Sequence, residues 1–261
     1  MTKPVFRFAP SPNGALHLGH AYSALLNFRM AQDIGGRFLV RMEDTDRGRC
    51  HPRFMEQMLE DLAWLGLRWE QPVRVQSEHL PDYYANIRKL WDMRAAYPCF
   101  CTRRTMVPDR LGRRDPDGQP LYGGACRALN ASAAMARIEA GAVHAWRIDM
   151  GACRDEDAAI WGDAAIARLM NGSSYHIAVV TDDHLQGVTH VVRGRDIEAA
   201  TPLHRLLQRL LGFRSPLYYH HALILDEQGR KLSKSDRSRS LADLRSAGIA
   251  AAEIRRRLGF A

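Results

Sequence analysis

The sequence predicts an α/β fold built on a parallel sheet, interrupted by a cysteine-bearing insertion and followed by a short helical tail. Three observations carry that expectation. Over residues 5–93, short apolar runs alternate with amphipathic stretches of helical period, the pattern of strands joined by crossovers. From residue 97 to about 128 that pattern gives way to a stretch rich in Cys, Arg, Pro and Gly. After Ser240 the residues are basic and helix-favouring.

Taken in order, residues 5–8 read as a first apolar strand, followed by a turn at 9–14 rich in Pro, Ser, Asn and Gly. A helix is expected over 17–34: Ala21, Leu25 and Phe28 keep helical spacing, and Gly35-Gly36 ends it. Residues 38–42 form a second apolar strand. Amphipathic helices are expected at 54–65, closed by Gly66, and at 83–93. Within the insertion, 115–118 is a turn. Ser132 caps a short helix ending at Gly141, and 143–148 is a strand leading back to the main domain. A helical stretch at 175–180 precedes a strand at 188–192, an apolar helix at 203–211 and an extended run at 217–225, followed by a polar loop at 226–237. The domain organisation is then a main domain in two halves, 1–96 and 151–225, an insertion at 97–150, and a loop with tail at 226–261.

A chain of 261 residues can bury a substantial core. Its net charge of +8 and pI near 9.5 favour a polyanionic partner, nucleic acid in particular, and say nothing about fold. The first residues lack the long apolar run of a secretory signal, and no run approaches bilayer-spanning length, so a cytoplasmic protein is expected. Cys50 and Cys153 stand alone and read as ordinary residues. Cys99, Cys101 and Cys126 cluster in the insertion, and in a reducing compartment such a cluster points to a metal before a disulfide.

Two stretches suit a nucleotide. His17-Leu18-Gly19-His20 opens a helix after a strand and turn. A helix start offers backbone N–H groups and a positive dipole end to phosphate. Two histidines three apart share a helix face and can donate to phosphate oxygens, while Gly19 lets an adenine ring approach the backbone. Far downstream, Lys231-Leu232-Ser233-Lys234-Ser235 places lysines on a polar loop that can close over a triphosphate. For the cysteines, Cys99 and Cys101 supply two thiolates on one turn and Cys126 a third. No histidine lies between them, so the fourth zinc ligand is open: Tyr122 is the remaining oxygen donor, beside water or an unfilled position.

Together, the two nucleotide stretches resemble the HIGH and KMSKS signatures of class I aminoacyl-tRNA synthetases. That resemblance implies a Rossmann-like catalytic domain in which His17, Gly19, His20, Lys231 and Lys234 contact ATP, Lys234 stabilises the transition state of adenylate formation, and Mg²⁺ assists. Arg7-Phe8-Ala9-Pro10-Ser11-Pro12, Arg41-Met42-Glu43-Asp44-Thr45-Asp46, Tyr175-His176-Ile177-Ala178 and Val192-Arg193-Gly194 resemble stretches of glutamyl-tRNA synthetases. The implied L-glutamate site is Arg7, Phe8, Ala9, Pro10, Ser11, Glu43, Tyr175 and Arg193. Arg7 and Arg193 suit a carboxylate, with the Tyr175 hydroxyl as a further donor, and Glu43 suits the α-ammonium. The alternatives are an ion pair of Glu43 with a neighbouring Arg and a surface ion pair for Arg193. His184 with Asp182 and Asp183 reads as structural and not as a metal site.

Cys-x-Cys followed by Tyr-x-x-x-Cys resembles the zinc site of the shorter glutamyl-queuosine synthetases, implying one structural zinc on Cys99, Cys101, Tyr122 and Cys126. As in that family, no anticodon-binding domain is expected in this chain after the KMSKS-like loop. The implied function is ATP-dependent activation of L-glutamate to glutamyl-adenylate and transfer to queuosine at the wobble position of tRNA(Asp), by a monomer that binds the anticodon stem-loop and no membrane. Arg103, Arg104, Arg110, Arg113 and Arg114, and Arg237, Arg239, Arg255, Arg256 and Arg257, are candidates for the RNA surface. The alternatives are a stand-alone glutamyl-tRNA synthetase charging an acceptor end, another nucleotidyltransferase, and an inactive synthetase paralogue acting as a binding module.

Overall fold

The computed structural model describes residues 3–102, 104–168, 175–224 and 239–260. The chain divides into two compact units, 1–78 with 186–198 and 216–261, and 79–185 with 199–215.

The first unit is built on a five-stranded parallel sheet in the order β3-β2-β1-β7-β8: β1 (Val5–Phe8), β2 (Arg37–Met42), β3 (Glu70–Val75), β7 (His190–Gly194) and β8 (Leu217–His221). Burial follows position. All four residues of central β1 are buried, whereas edge strands β3 and β8 keep exposed positions, as expected of a parallel sheet covered on both faces. Helices α1 (Leu18–Asp33), α2 (Pro52–Trp64), α8 (Leu241–Ser246) and α9 (Ala251–Arg257) belong to this unit. Its main core joins Phe6, Phe8, Leu16, Leu25, Val40, Met58, Leu62, Leu241 and Ile254. Asn27 of α1 is fully buried and donates to the Val192 carbonyl at 3.0 Å, which pins α1 to β7.

The second unit carries a three-stranded antiparallel sheet, β4 (Ala96–Cys99), β5 (Ala145–Ile148) and β6 (Ala165–Arg168), in the order β4-β5-β6. Helices α3 (Leu80–Asp92), α4 (Ala131–Glu139), α5 (Met150–Cys153), α6 (Tyr175–Leu185) and α7 (Thr201–Leu211) complete it. Tyr83, Leu90, Trp146, Ile148, Trp161, Ile177, Val179, Leu203 and Leu207 share its core.

Several expectations change here. The 143–148 strand does not return to the parallel sheet; as β5 it pairs antiparallel with β4. The helix expected to be capped by Ser132 is capped by Asn130, whose side chain accepts from Ser132 N at 2.9 Å; an Asx side chain two residues upstream reaches that N–H more readily than Ser132 can reach its own. Strands β3, β4 and β6 are not among the expected elements, being too short for a period-two pattern to stand out. The compact unit that includes the insertion is also wider than 97–150, because β6, α6 and α7 close its core. Among the described residues, no helix is long and apolar enough to cross a membrane.

Candidate active site and metal centre

Each expected charge of the amino-acid site in the first unit lies at the carboxyl end of a strand. Arg7 is on β1, Glu43 immediately follows β2, and Arg193 is on β7. These are three neighbours in the order β2-β1-β7, and carboxyl ends of parallel strands are where open α/β sheets bind ligands. Arg7 and Arg193 are 4% and 5% exposed, so Arg193 does not form the surface ion pair that was its alternative. The turn 9–14 is tied to the segment after β2: Glu43 N donates to the Pro10 carbonyl at 3.0 Å, and His51 N to the Pro12 carbonyl at 3.0 Å. These two bonds bring Ser11 and Glu43 to the same end of the sheet. Phe8 is core, Pro10 is buried, and Ala9 and Ser11 are half-buried.

Glu43 does take the neighbouring Arg as a partner. Its Oε1 lies 3.1 Å from Arg41 Nη2, and its side chain is 8% exposed. Arg193 Nε donates to His220 Nε2 at 3.3 Å, and its guanidinium lies over the Tyr218 ring at 5.2 Å. Asp44 turns away from any ligand role: it accepts from Ser77 N and Oγ at 2.8 and 2.6 Å. Tyr175 opens α6 in the second unit, its ring 5.3 Å from that of His176 and 5.6 Å from that of His204.

His17 is the N-cap of α1. Its Nδ1 accepts from Gly19 N at 3.1 Å, and His20 Nδ1 accepts from His17 N at 3.2 Å, a reciprocal capping box. The rings stack at 3.8 Å. With both Nδ1 atoms accepting, each neutral ring carries its hydrogen on Nε2. Gly19 is required by this arrangement, since a Cβ there would stand 3.0 Å from the His17 ring. Lys231 and Lys234 lie outside the described residues. Leu241 N donates to the carbonyl of Leu16, the residue before His17, at 2.8 Å.

In the second unit, Cys99 ends β4 and Cys101 follows. The loop that starts there is cross-linked by a Pro108–Tyr122 bridge and by Gly123 N donating to the Val107 carbonyl at 2.9 Å, which returns Tyr122 and Cys126 to the strand end. The three Sγ atoms lie within 4.8 Å of one another. Cys101 Sγ is 3.3 Å from the Tyr122 hydroxyl and 3.6 Å from Cys126 Sγ. Thiolates around a tetrahedral zinc at about 2.3 Å stand about 3.8 Å apart, so these donors match a metal in number, kind and spacing. Burial raises the Cys101 thiol above its usual range. Burial also pushes Cys126 up, but hydrogen bonds from Tyr122, the Phe100 backbone and the other two cysteines outweigh it and leave that thiol lowered. The Arg147 guanidinium lies 4.1 Å over the Tyr122 ring.

Two residues that sequence reading did not single out matter here. Gln186 accepts from Arg41, the partner of Glu43, and buried Asp163 is a hub that accepts from Tyr97, from Arg127 beside Cys126, and from Met150 N. Their signal exists only in space. His184 stacks on Phe213 at 3.9 Å and Asp182 accepts from Tyr83 at 2.9 Å, in keeping with structural roles.

The family model described as tRNA synthetases class I (E and Q), catalytic domain, matches residues 4–258. A glutamyl-Q tRNA(Asp) synthetase from Rhodobacter capsulatus is 42% identical over 98% of this chain and 100% of its own length. A glutamate–tRNA ligase from Prochlorococcus marinus is 35% identical over 94% of this chain, which spans only 55% of it. The crystal structure of a glutamate tRNA ligase from Elizabethkingia meningosepticum, in complex with its amino acid, superposes with a TM-score of 0.75 at 27% identity, covering 90% of this chain and 52% of that one. The chain belongs to the class I tRNA synthetase family of the E and Q type, and is similar over most of its length to glutamyl-Q tRNA(Asp) synthetases.

Proposed function

We propose that this chain activates L-glutamate with ATP and transfers it to queuosine at the wobble position of tRNA(Asp). The observation that carries the reading is the row of one anion and two cations, Glu43, Arg7 and Arg193, at the ends of the three adjacent strands β2, β1 and β7, in the unit that also holds the His17–His20 cap. An amino acid with two carboxylates needs that charge pattern. The similarity to glutamyl-Q tRNA(Asp) synthetases over most of this chain supports the choice of acceptor.

Activation joins the α-carboxylate of glutamate to the α-phosphorus of ATP, and the bond to the departing pyrophosphate breaks. Arg7 and Arg193 orient the carboxylates and Glu43 accepts from the ammonium, beside Phe8, Ala9, Pro10 and Ser11; Tyr175 is a further donor by resemblance alone. His17 and His20 present Nε2–H donors to the phosphates at the positive end of α1, with Gly19 under the base. Lys231 and Lys234 belong to the same step by resemblance. Mg²⁺ supplies charge neutralisation on the phosphates when ATP binds. A queuosine hydroxyl then attacks the glutamyl carbonyl, and AMP leaves.

One zinc on Cys99, Cys101, Tyr122 and Cys126 is structural in this reading. It closes a loop that carries few apolar residues and shows Arg104, Arg110 and Leu111 to solvent, a surface suited to the anticodon stem-loop. The enzyme acts as a monomer in the cytoplasm, where its tRNA is.

Glutamate-dependent ATP–pyrophosphate exchange tests the first half-reaction. Labelling of queuosine-containing tRNA(Asp), and not of the unmodified form, tests the second. The glutamate–tRNA ligase relatives favour one other outcome, labelling of tRNA(Glu), which would move the acceptor from the anticodon to the 3′ end. Absence of exchange under all conditions would leave a binding module.

A further inference from the structure

Among the described residues, Arg41 is the largest fully buried side chain, at 0% exposure. It stands two residues before Glu43, and residues two apart on an extended strand project to the same face. Its Nη2 meets Glu43 Oε1 at 3.1 Å and its Nη1 donates to Gln186 Oε1 at 3.0 Å. Gln186 precedes β7, the strand that carries Arg193, while Arg41 is on β2; β1 lies between those strands. The chain Gln186–Arg41–Glu43 therefore links the anion of the amino-acid site to the segment that leads into the strand bearing one of its cations. All of these residues lie in the first unit.

Resting on the reading of Glu43 as acceptor for the α-ammonium, we propose that Arg41 is a positioning residue for amino-acid recognition, and that Gln186 holds it in place. A buried guanidinium needs an anion close by, and a rigid planar fork restricts where that anion sits. Glu43 is thus held in one orientation before the substrate arrives. A carboxylate accepts along about four lone-pair directions, so a contact from Arg41 is compatible with a further one from an ammonium. Gln186 makes the arrangement directional: its amide oxygen satisfies one side of the fork without adding a second negative charge that would compete with Glu43 for the guanidinium. The geometry assigns amino-group selectivity to a pair of residues that never touch the substrate.

The test separates the amino group from the rest of the substrate. Glutarate is glutamate with hydrogen in place of the α-ammonium, and it inhibits by occupying the same carboxylate contacts. In ATP–pyrophosphate exchange, Arg41→Met should raise the KM for glutamate about 30-fold, and Arg41→Lys and Gln186→Leu roughly 3- to 10-fold, the range of a lost hydrogen bond to a charged group. Glutarate inhibition should stay within about 2-fold and kcat should change little, since the interaction lost is ground-state binding. If Arg41→Met does not fold, Arg41→Lys and Gln186→Leu decide the matter. Equal weakening of glutamate and glutarate in these variants, or no weakening of either, overturns the proposal. Glu43→Gln serves as the reference. A selective loss of glutamate in Glu43→Gln alone sinks the role of Arg41, while a loss shared by both ligands in Glu43→Gln sinks the reading of Glu43 itself.

Discussion

The two units solve the same problem, holding polar side chains in fixed positions, by different means. In the first, the backbone does it. Arg7, Glu43 and Arg193 end neighbouring parallel strands, so sheet register sets their spacing; Glu43 also meets Arg41, and Arg193 meets His220. In the second, the thiols of Cys99, Cys101 and Cys126 come together through loop cross-links and through Asp163, because the loop between Cys101 and Tyr122 has no sheet to set its register. A strand end is rigid before a ligand binds, whereas a loop-built cluster gains much of its order from what it binds.

That contrast can be broken most directly at Glu43. Glu43→Gln should lower kcat/KM for glutamate in pyrophosphate exchange by about a hundredfold or more, the scale of a lost charge-assisted bond in a desolvated site. It should also lower stability by about 3 kcal/mol, because a buried ion pair with Arg41 loses its carboxylate charge. A small effect on both, seen by exchange kinetics and urea denaturation, would mean that strand-end rigidity is not what holds the site. Next in size is metal removal. Chelation, or Cys101→Ser, should cost several kcal/mol in thermal unfolding, as structural zinc sites do. Tryptophan fluorescence should report that loss in the second unit, which holds Trp91, Trp146 and Trp161. Unchanged melting after complete chelation would show that the cross-links suffice without an ion.

Asp163→Ala removes the acceptor shared by Tyr97, Arg127 and Met150 N. Loss of a buried carboxylate that serves several donors should cost about 3 kcal/mol, and zinc affinity should fall with it because Arg127 adjoins Cys126. A destabilised variant with undiminished zinc affinity would confine Asp163 to the fold.

A smaller effect, of opposite sign, is expected at Asp61 of α2. It is fully buried, and burial raises its carboxyl to about 6 although Arg245 lies 3.3 Å away. The unfolded value is about 3.9, so the native state binds this proton more tightly, and the charge costs stability wherever pH exceeds 6. Asp61→Asn should therefore stabilise the protein by about 1–2 kcal/mol at pH 7.5, with the gain fading as pH falls from 6 towards 4. Paired urea titrations at pH 7.5 and 5 check this; an equal gain at both would rule out the carboxylate charge as its cause. Asn130→Ala, which removes the cap of α4, should cost about 1 kcal/mol by the same measurement.

Much of this was written locally. The strand at 5–8, the turn after it, the helix that begins at His17 and the Cys-x-Cys pair are short-range patterns, and the chemistry they require is carried by adjacent residues. The rest was not legible, for identifiable reasons. Asn130 outcompetes Ser132 because capping depends on a backbone turn that composition does not reveal. The 143–148 strand reads as a strand of either sheet, since period-two alternation says nothing about partners, and only closure of the β4-β5-β6 core decides it. His17 reads as a phosphate donor, yet the structure first makes it a helix cap, which is what leaves its Nε2 hydrogen as the donor.

By itself, the sequence determined which residue types were available: two arginines and a glutamate for a dicarboxylic amino acid, two histidines at a helix start, and three thiols with a tyrosine for a metal. Those choices survive any packing because they are matters of charge and donor chemistry. The tertiary structure alone decided their partners. Arg41 acquires a role because Gln186 is brought to it from a distant part of the chain, and Asp163 because three segments converge on it. Residue identity is local, but the electrostatic environment of a buried charge is made by neighbours that only folding selects.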